Sequence, residues 1–390
     1  MKRSRRLRNL PEYPFSRWTR QVEAVRQRGV DVIRLDVGSP DLPPPTDVIE
    51  ELCTAARLPD QHGYASYRGL PELREAIAAY YRRRFGVALD PDTQVLPLIG
   101  SKEGIVNLSL ACLDPGDVSL VPDPGYAPYA MGAILAGGDV QTVPLLADEG
   151  FLPDLGAIPA HSADRARLMW LNFPNNPTGA TAGLEFFTRA VGFARKHGLL
   201  VCHDASYCDV TFDGYLAPSL MELPGASEVS VEFGSLSKTY NMAGWRLGMA
   251  VGNAAALEML AKTKSNVDSG MFRPAQVAAI RALSVDAKWI SQRNAVYGER
   301  MDILLEGLDS IGLKGSRPRA TLYLWARLPY GMNSEAFALS VLEETGVALA
   351  PGSFFGPGGE GYVRFSVTAP TPRLQEAVER FQRVRAIPGG

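Results

Sequence analysis

Short apolar runs that are rich in β-branched residues alternate with segments of helical length through the middle of this chain. Strands and helices that alternate in this way form βαβ units, in which helices cover both faces of a buried parallel sheet. The sequence therefore predicts an α/β fold with a mostly parallel sheet sandwiched by helices. The predicted strands are 118–122, 140–144, 167–172, 199–203, 229–235 and 247–251.

Polar clusters follow several of these runs, at 123–126, 172–179, 204–207 and 235–238. In open sheets of parallel strands, ligands bind beyond the carboxyl ends of the strands. Those ends meet at one edge of the sheet, so the polar clusters are expected to lie near one another. We therefore expect the chemistry of this protein at that edge.

The sequence pattern changes after about residue 280, and a smaller α+β domain is predicted there. Its elements are helices at 287–307, at 334–345 and from Thr371 onward, with a sheet-like segment at 321–328. A single core is near its size limit in a chain of 390 residues. The predicted parts are an N-terminal arm and small-domain segment at 1–42, a large domain at 43–282 and a C-terminal small domain at 283–390. A strand predicted at 32–37 can pack against the C-terminal domain instead of the large one.

The charge balance bears on the kind of partner. The chain has 40 Lys and Arg and 42 Asp and Glu, a net charge of −2, which argues against nucleic acid or an anionic membrane. No apolar stretch reaches the roughly 18 to 20 residues that cross a bilayer. The basic start at 1–8 is followed by prolines and polar residues rather than by the apolar part of a signal peptide, so we expect a frayed, solvated arm. A small-molecule partner is therefore predicted.

The four cysteines form no CxxC or Cys/His pattern, so no metal site is predicted. A disulfide framework would need a higher cysteine density in a chain of this length. We therefore interpret them as reduced thiols and expect a cytoplasmic protein.

A lysine follows one predicted strand, together with two serines and an arginine. Ser235, Ser237 and Lys238 end that strand, and Arg246 follows a short distance later. A lone lysine at a strand end is ordinarily just solvated. Hydroxyls and a guanidinium can bind a phosphate, however, while a lysine amine can form a Schiff base with a carbonyl cofactor.

This S-x-S-K segment followed by G-W-R-x-G resembles the lysine motif of the fold type I, class I/II aminotransferases that depend on pyridoxal phosphate. The resemblance implies a large domain that binds pyridoxal 5′-phosphate and acts on an amino acid and a 2-oxo acid. It implies that Lys238 is the Schiff-base lysine and the base that moves the substrate proton. Ser235, Ser237 and Arg246 are then the phosphate ligands.

Asp204 follows the apolar run 199–203 and is therefore expected at the end of a buried strand. Burying its charged carboxylate costs free energy unless a cation pairs with it. A helix N-cap is the alternative interpretation. The segment resembles the family's D-x-x-Y. That resemblance implies that Asp204 binds a protonated pyridine nitrogen and Tyr207 the 3′-oxygen of the ring.

Two further motifs concern the substrate. The segment 172–179 reads N-x-P-x-N-P-T-G, which turn chemistry alone could explain. Arg364 lies within an otherwise apolar strand, where a guanidinium needs a carboxylate, either in a structural salt bridge or in a ligand. Both segments resemble family motifs. The resemblance implies that Asn176 contacts the 3′-oxygen and the substrate carboxylate, and that Arg364 binds the substrate α-carboxylate.

The remaining candidates rest mainly on the same resemblance. Backbone amides at a helix start bind phosphate, which favours Ser101 and Lys102. Tyr126 matches the aromatic residue that stacks on the pyridine ring, although a core tyrosine is the alternative. Tyr64 matches the tyrosine that reaches the neighbouring subunit's phosphate, which implies a homodimer with shared sites. Gly38 matches the glycine near the substrate carboxylate.

Four segments resemble LL-diaminopimelate aminotransferases in their amino-acid sequence, namely 100–105, 237–246, 320–325 and 358–364. Those enzymes use 2-oxoglutarate in lysine biosynthesis. Aminotransferases of alanine, aspartate, methionine or succinyldiaminopimelate are alternatives, and a lyase with the same cofactor is another. The distal end of the substrate is expected to meet loops around 15–18, Arg68, 269–273 or Tyr323. Within these, Arg273 can either bind a distal carboxylate or be a surface arginine.

Overall fold

The computed structural model describes residues 2–329 and 331–382. The α helices are α1 (Arg5–Asn9), α2 (Pro14–Gln27), α3 (Thr46–Ala56), α4 (Pro71–Phe85), α5 (Ser101–Cys112), α6 (Pro128–Ala136), α7 (Ala160–Ala163), α8 (Leu184–His197), α9 (Leu236–Thr239), α10 (Ala254–Val267), α11 (Arg273–Leu283), α12 (Ala287–Leu308), α13 (Ser334–Thr345) and α14 (Thr371–Phe381). The strands are β1 (Ile33–Arg34), β2 (Val95–Leu98), β3 (Val118–Asp123), β4 (Asp139–Pro144), β5 (Ala166–Asn172), β6 (Leu200–Asp204), β7 (Ser230–Ser235), β8 (Gly248–Gly252), β9 (Lys314–Gly315), β10 (Tyr323–Arg327), β11 (Val347–Ala348), β12 (Ala350–Pro351) and β13 (Tyr362–Ser366).

A seven-stranded sheet of order β2-β8-β7-β6-β5-β3-β4 forms the centre of the molecule. Strand β8 is antiparallel to both of its neighbours, and the other adjacent pairs are parallel. The predicted mostly parallel α/β sheet is thus confirmed, and β3 to β8 match the six apolar runs closely. The reversal of β8 was not predicted. Its connection from β7 lacks the long crossover helix that a parallel neighbour would need.

The C-terminal part contains a second, antiparallel sheet of order β12-β13-β10-β9. Helix α13 packs against this sheet, and α14 packs against α12 and α13. The predicted smaller α+β unit is therefore confirmed. The two sheets lie on either side of residue 282 in the sequence, while the exact limits 1–42, 43–282 and 283–390 stay predictions.

The first strand joins the C-terminal part, as the sequence allowed. Strand β1 pairs in parallel with β11, with Ile33 opposite Val347. It is shorter than the predicted 32–37, because the backbone leaves the ladder after Leu35 and the carbonyl of Asp36 accepts a hydrogen bond from a side chain, Arg364. Asp36 forms a bend, and the chain then reaches Gly38 outside any strand.

The basic start differs from the frayed arm that we expected. Residues Arg5–Asn9 form the short helix α1, because the Ser4 hydroxyl caps it by accepting from the Leu7 amide at 3.2 Å. Leu7 is exposed, in agreement with the expected solvation. Within the described ranges, no helix has the length and apolar character needed to cross a membrane.

Helix α2 ties the N-terminal segment to the C-terminal core. Its apolar face buries Trp18, Val22 and Val25 in the same cluster as residues of β10, α13 and β13. Trp18 is 1% exposed and meets the ring of Phe354 edge-on at 6.1 Å. Because α2 also carries side chains that line the cavity described below, this packing positions part of the site.

The Trp18 contact gives a test of this arrangement. We expect Trp18→Ala to lower the free energy of unfolding by about 3–5 kcal/mol, because a large buried ring is replaced by a cavity. Chemical denaturation followed by circular dichroism measures the change. Arg20→Ala on the exposed face of the same helix is the control and should change it by less than about 0.5 kcal/mol. Equal effects of the two substitutions would contradict the proposed packing.

Candidate active site

A cavity lies at the carboxyl ends of the parallel strands, between the central sheet and the C-terminal part. Every residue predicted to bind the cofactor or the substrate α-carboxylate lines it, except Tyr64. These residues are Gly38, Ser101, Lys102, Tyr126, Asn176, Asp204, Tyr207, Ser235, Ser237, Lys238, Arg246 and Arg364. The fold therefore brings together motifs that are separated by up to several hundred residues in the sequence.

Lys238 lies at the end of β7, in the single-turn helix α9. Its Nζ donates a hydrogen bond to the carbonyl of Gly38, and its own carbonyl accepts one from Arg293. Burial lowers the pKa of the amine, and the nearby guanidinium groups of Arg364 and Arg246 lower it further, against the opposing effect of Tyr323. The amine is thus more readily deprotonated than an ordinary lysine.

Asp204 ends β6 and is 4% exposed. Its carboxylate accepts hydrogen bonds from the Tyr129 hydroxyl at 2.8 Å and from the hydroxyl and amide of Ser206 at 2.5 and 3.1 Å. Burial raises its pKa, although these hydrogen bonds oppose the rise. All of its donors within the described ranges are uncharged. A cationic ligand would therefore offset the cost of burying this carboxylate.

Arg364 is 3% exposed and holds two groups of the cavity wall. Its Nη1 donates to Oδ1 of Asn176 at 2.8 Å, and its Nη2 donates to the carbonyl of Asp36 at 2.7 Å. Its Nε has no partner within the described residues. Those partners are an amide and a carbonyl, so the structural salt bridge considered for Arg364 is not formed there. An incoming carboxylate would provide the missing negative charge.

Aromatic side chains fix the orientation of this arginine. The guanidinium carbon of Arg364 lies 3.9 Å from the ring centre of Tyr323 and 4.7 Å from that of Phe355. The hydroxyls of Tyr323 and Tyr207 are 2.8 Å apart. A Cβ at Gly38 would lie 1.9 Å from the Tyr323 hydroxyl, so this position accepts only glycine without rearrangement.

The opposite end of the cavity is formed by the start of α5 and by Arg246. Gly100 precedes Ser101 with φ of 76° and provides no side-chain cap, so the first amides of the helix stay available to a ligand. A Cβ at Gly100 would lie 2.3 Å from Nη2 of Arg246, and one at Gly248 would lie 2.7 Å from the Ser101 nitrogen. These glycines let a guanidinium and a helix N-terminus approach closely. A guanidinium beside a helix N-terminus is an arrangement that favours anion binding.

One wall of the cavity is aromatic. Tyr126 meets Tyr129 edge-on at 5.7 Å, and Tyr129 stacks on Trp170 at 5.1 Å. On the side facing α2, the ammonium of Lys102 lies 4.8 Å from the ring centre of Tyr13. Burial lowers the pKa of Lys102, and Arg246 adds to this effect.

Three individually named candidates, Tyr64, Arg68 and Arg273, lie outside the cavity. Arg68 forms an ion pair with Glu258 at 2.6 Å. Tyr64 is 92% exposed. Arg273 donates to the carbonyl of Asp60 at 3.2 Å and does not line the cavity, so nothing here supports it as a ligand for a distal carboxylate. Tyr323 and Phe15, both in the candidate set for the distal end, do line the cavity.

Sequence reasoning missed several residues that line the cavity, and three of them bind other side chains there. Tyr129 binds Asp204, and its only signal was its position three residues after Tyr126. Arg34 and Asp36 form an ion pair in the cavity wall. Their alternate positions in an extended segment placed both side chains on the same side, but nothing in the sequence indicated that this side faces a cavity.

Known proteins resemble this chain along nearly its whole length. Residues 30–381 match the family described as aminotransferase class I and II. The chain is 51% identical over 384 residues to a protein named LL-diaminopimelate aminotransferase from Moorella thermoacetica, covering 98% of each. It is 52% identical over 379 residues to the protein of that name from Desulforudis audaxviator, covering 97% of each.

A solved structure is also similar. Substrate-bound BacF from Bacillus subtilis superimposes with a TM-score of 0.93 at 37% identity, covering 98% of this chain and 97% of that one. The cavity fits the cofactor of this family, since it combines a lysine amine, a buried carboxylate without a cation and an anion site at a helix start. This chain belongs to the aminotransferase class I and II family and is an aminotransferase that depends on pyridoxal phosphate.

Proposed function

We propose that this chain transfers an amino group from LL-diaminopimelate to a 2-oxo acid such as 2-oxoglutarate, in lysine biosynthesis. The observation that carries the proposal is the buried guanidinium of Arg364, which faces the cavity with no carboxylate partner in the described residues. An amino acid substrate provides that carboxylate. The choice of amino acid is supported by relatives of about half-identical sequence, whose names specify LL-diaminopimelate.

The predicted roles of the cavity residues toward the cofactor are part of the proposal. When bound, pyridoxal phosphate would supply an aldehyde carbon that accepts the amino group from the substrate, and a protonated ring that withdraws electrons. Asp204 would accept a hydrogen bond from the protonated pyridine nitrogen, since its carboxylate is bound only by uncharged donors in the described residues. The phosphate would be bound by the amides of Ser101 and Lys102 together with Ser235, Ser237 and Arg246. Tyr126 would contact the ring, and Tyr207 and Asn176 would bind its 3′-oxygen.

The substrate is held and deprotonated by groups at the other end of the cavity. Arg364 orients the α-carboxylate together with Asn176 and the backbone of Gly38. With the cofactor bound, the Nζ atom of Lys238 would take the proton from the substrate Cα, and the resulting ammonium would hold that proton for the second half of the transfer. The lowered pKa of Lys238 favours this role, because a general base must be deprotonated near the working pH.

The half-reaction without any keto acid tests the function. On addition of LL-diaminopimelate to the holoenzyme, we expect the absorbance band of the bound aldehyde to convert fully to that of the amine form. Lys238→Ala should slow this conversion by about 100-fold or more, because it removes the group that moves the proton. The conversion is followed by stopped-flow absorbance.

Other outcomes decide between the alternatives. Conversion with aspartate, alanine, methionine or succinyldiaminopimelate but not with LL-diaminopimelate would keep the aminotransferase and reject the substrate. Release of a keto acid and ammonia without any acceptor would indicate a lyase. Normal conversion by Lys238→Ala would remove Lys238 from the proposed role.

The phosphate end makes a separate prediction. Gly248→Ala should raise the dissociation constant of pyridoxal phosphate about tenfold, a loss of about 1.4 kcal/mol, because a Cβ there pushes against the Ser101 amide. Equilibrium titration of the apoprotein measures the constant. Gly192→Ala is the control, since a Cβ at Gly192 meets no atom within 4 Å. An unchanged constant for Gly248→Ala would place the phosphate elsewhere.

We also propose a cytoplasmic homodimer with shared sites. The surface around Tyr64 supports this, because the side chains of Tyr67, Val267 and Phe272 are also exposed there. The segment that contains Tyr64 and Tyr67 is adjacent to the segment that contains Val267 and Phe272, since a Cβ at Gly270 would lie 2.2 Å from the carbonyl of Ala65. Exposed apolar side chains that cluster mark protein interfaces. The four cysteines are free thiols, which supports the reducing compartment.

Mixing two inactive variants tests whether sites are shared. Tyr64→Ala and Lys238→Ala should each have little activity as pure homodimers. Subunit exchange between them should restore roughly a quarter of the wild-type activity, because a hybrid dimer has one intact site. Steady-state turnover after denaturation and refolding of the equimolar mixture measures this. No recovery in a mixture that forms dimers would show that Tyr64 does not complete a neighbouring site.

A further inference from the structure

An ion pair in the cavity wall has no part in the roles proposed above. Nε of Arg34 donates to Oδ1 of Asp36 at 2.6 Å, and Nη2 donates to Oδ2 at 2.7 Å. The side chain of Asp36 is fully buried and that of Arg34 is 22% exposed. Both residues line the cavity. The partly exposed guanidinium is thus the member of the pair that a ligand can reach.

The pair adjoins the end of the cavity where the substrate carboxylate is expected. The carbonyl of Asp36 accepts from Nη2 of Arg364 at 2.7 Å, and two residues later the carbonyl of Gly38 accepts from Nζ of Lys238. The phosphate end, formed by Ser101 and its neighbours, lies on other elements of the fold. Arg34 is therefore positioned beside the substrate rather than beside the phosphate.

The geometry of the pair leaves donors available. The two hydrogen bonds to Asp36 use one edge of the guanidinium, and no described residue accepts from Nη1 of Arg34. A guanidinium carries further N–H groups that fit a carboxylate. Asp36 neutralises the charge and fixes the side chain, so Arg34 can lie near Arg364 without strong repulsion.

We propose that Arg34, positioned by Asp36, binds the second carboxylate of a dicarboxylic amino acid and determines the substrate specificity of this site. The inference rests on the proposed function, since LL-diaminopimelate has such a second carboxylate at its distal end. Amino acids with a short uncharged side chain, such as alanine, do not reach Arg34 and gain nothing from it. The alternative is that the pair only supports the Asp36 carbonyl that holds Arg364.

A double substitution, Arg34→Met with Asp36→Leu, separates these possibilities. Removing both charges together avoids leaving a buried carboxylate without a partner. We expect the second-order rate constant of the half-reaction to fall about 10- to 100-fold with LL-diaminopimelate and with glutamate, as for the loss of a hydrogen bond between charged groups. With alanine it should change less than about twofold. Arg34→Lys keeps the positive charge but loses the paired N–H groups of the guanidinium. Its rate constants with LL-diaminopimelate and glutamate should lie between those of the double variant and those of the wild type.

A buried ion pair outside the cavity is the matched control. Arg300 and Asp41 also form two hydrogen bonds, at 2.7 and 3.0 Å, and Arg300 is 3% exposed. Arg300→Met with Asp41→Leu should leave the ratio of the LL-diaminopimelate rate to the alanine rate unchanged. A binding measurement complements the kinetics: pimelate should bind the wild-type holoenzyme more tightly than heptanoate does, and the Arg34→Met, Asp36→Leu variant should lose this preference.

The outcomes distinguish this inference from the proposed function. If the rates with LL-diaminopimelate, glutamate and alanine fall equally in the double variant, the pair only supports Arg364 and the inference is wrong. Unchanged rates with all three substrates would also overturn it. If the wild type does not convert LL-diaminopimelate at all, the proposed substrate is wrong. The role of Arg34 is then decided by whether the double substitution lowers the ratio of the glutamate rate constant to the alanine rate constant.

Discussion

A carboxylate buried without a cation constrains the whole site. Strand β6 carries Asp204 to the edge of the central sheet, where only hydroxyls and an amide of the described residues bind it. Burying a charge in this way is unfavourable for the protein alone, and a cationic ligand relieves the cost. In the proposed function that ligand is the protonated ring of the cofactor, so this one side chain would determine where the ring is held.

The strand that carries Asp204 is itself firmly held. The preceding residue, His203, is fully buried on β6, and its ring nitrogens lie 2.8 Å from Oε2 of Glu232 and 3.0 Å from the carbonyl of Phe173. These contacts join β6 to β7 and to the loop that follows β5. Because β7 leads to Lys238 and the loop contains Asn176, one set of buried contacts relates three of the proposed functional side chains.

Much of the fold and of the cavity was predictable from local patterns. Buried parallel strands are continuous apolar runs, and the polar residues at their carboxyl ends meet by topology, so Asp204 and Lys238 could be expected at one edge of the sheet. Their predicted roles came from the resemblance to class I/II aminotransferases. Strand direction was not predictable for β8, since its apolar run looks like that of its parallel neighbours. Tyr129 and the pair of Arg34 and Asp36 were missed because their environment depends on which elements pack together.

The two arginines of the cavity differ in how their charges are paired. In the proposals above, Arg364 binds the carboxylate that every amino acid has, and Arg34 binds a second carboxylate that only some have. Arg364 has no carboxylate partner in the described residues, so any amino acid can complete it through the carboxylate that all amino acids share. Arg34 is already neutralised by Asp36, so it does not require a ligand for stability. A second carboxylate can add to its remaining donors, and because only some amino acids have one, the contact affects selectivity rather than basal turnover.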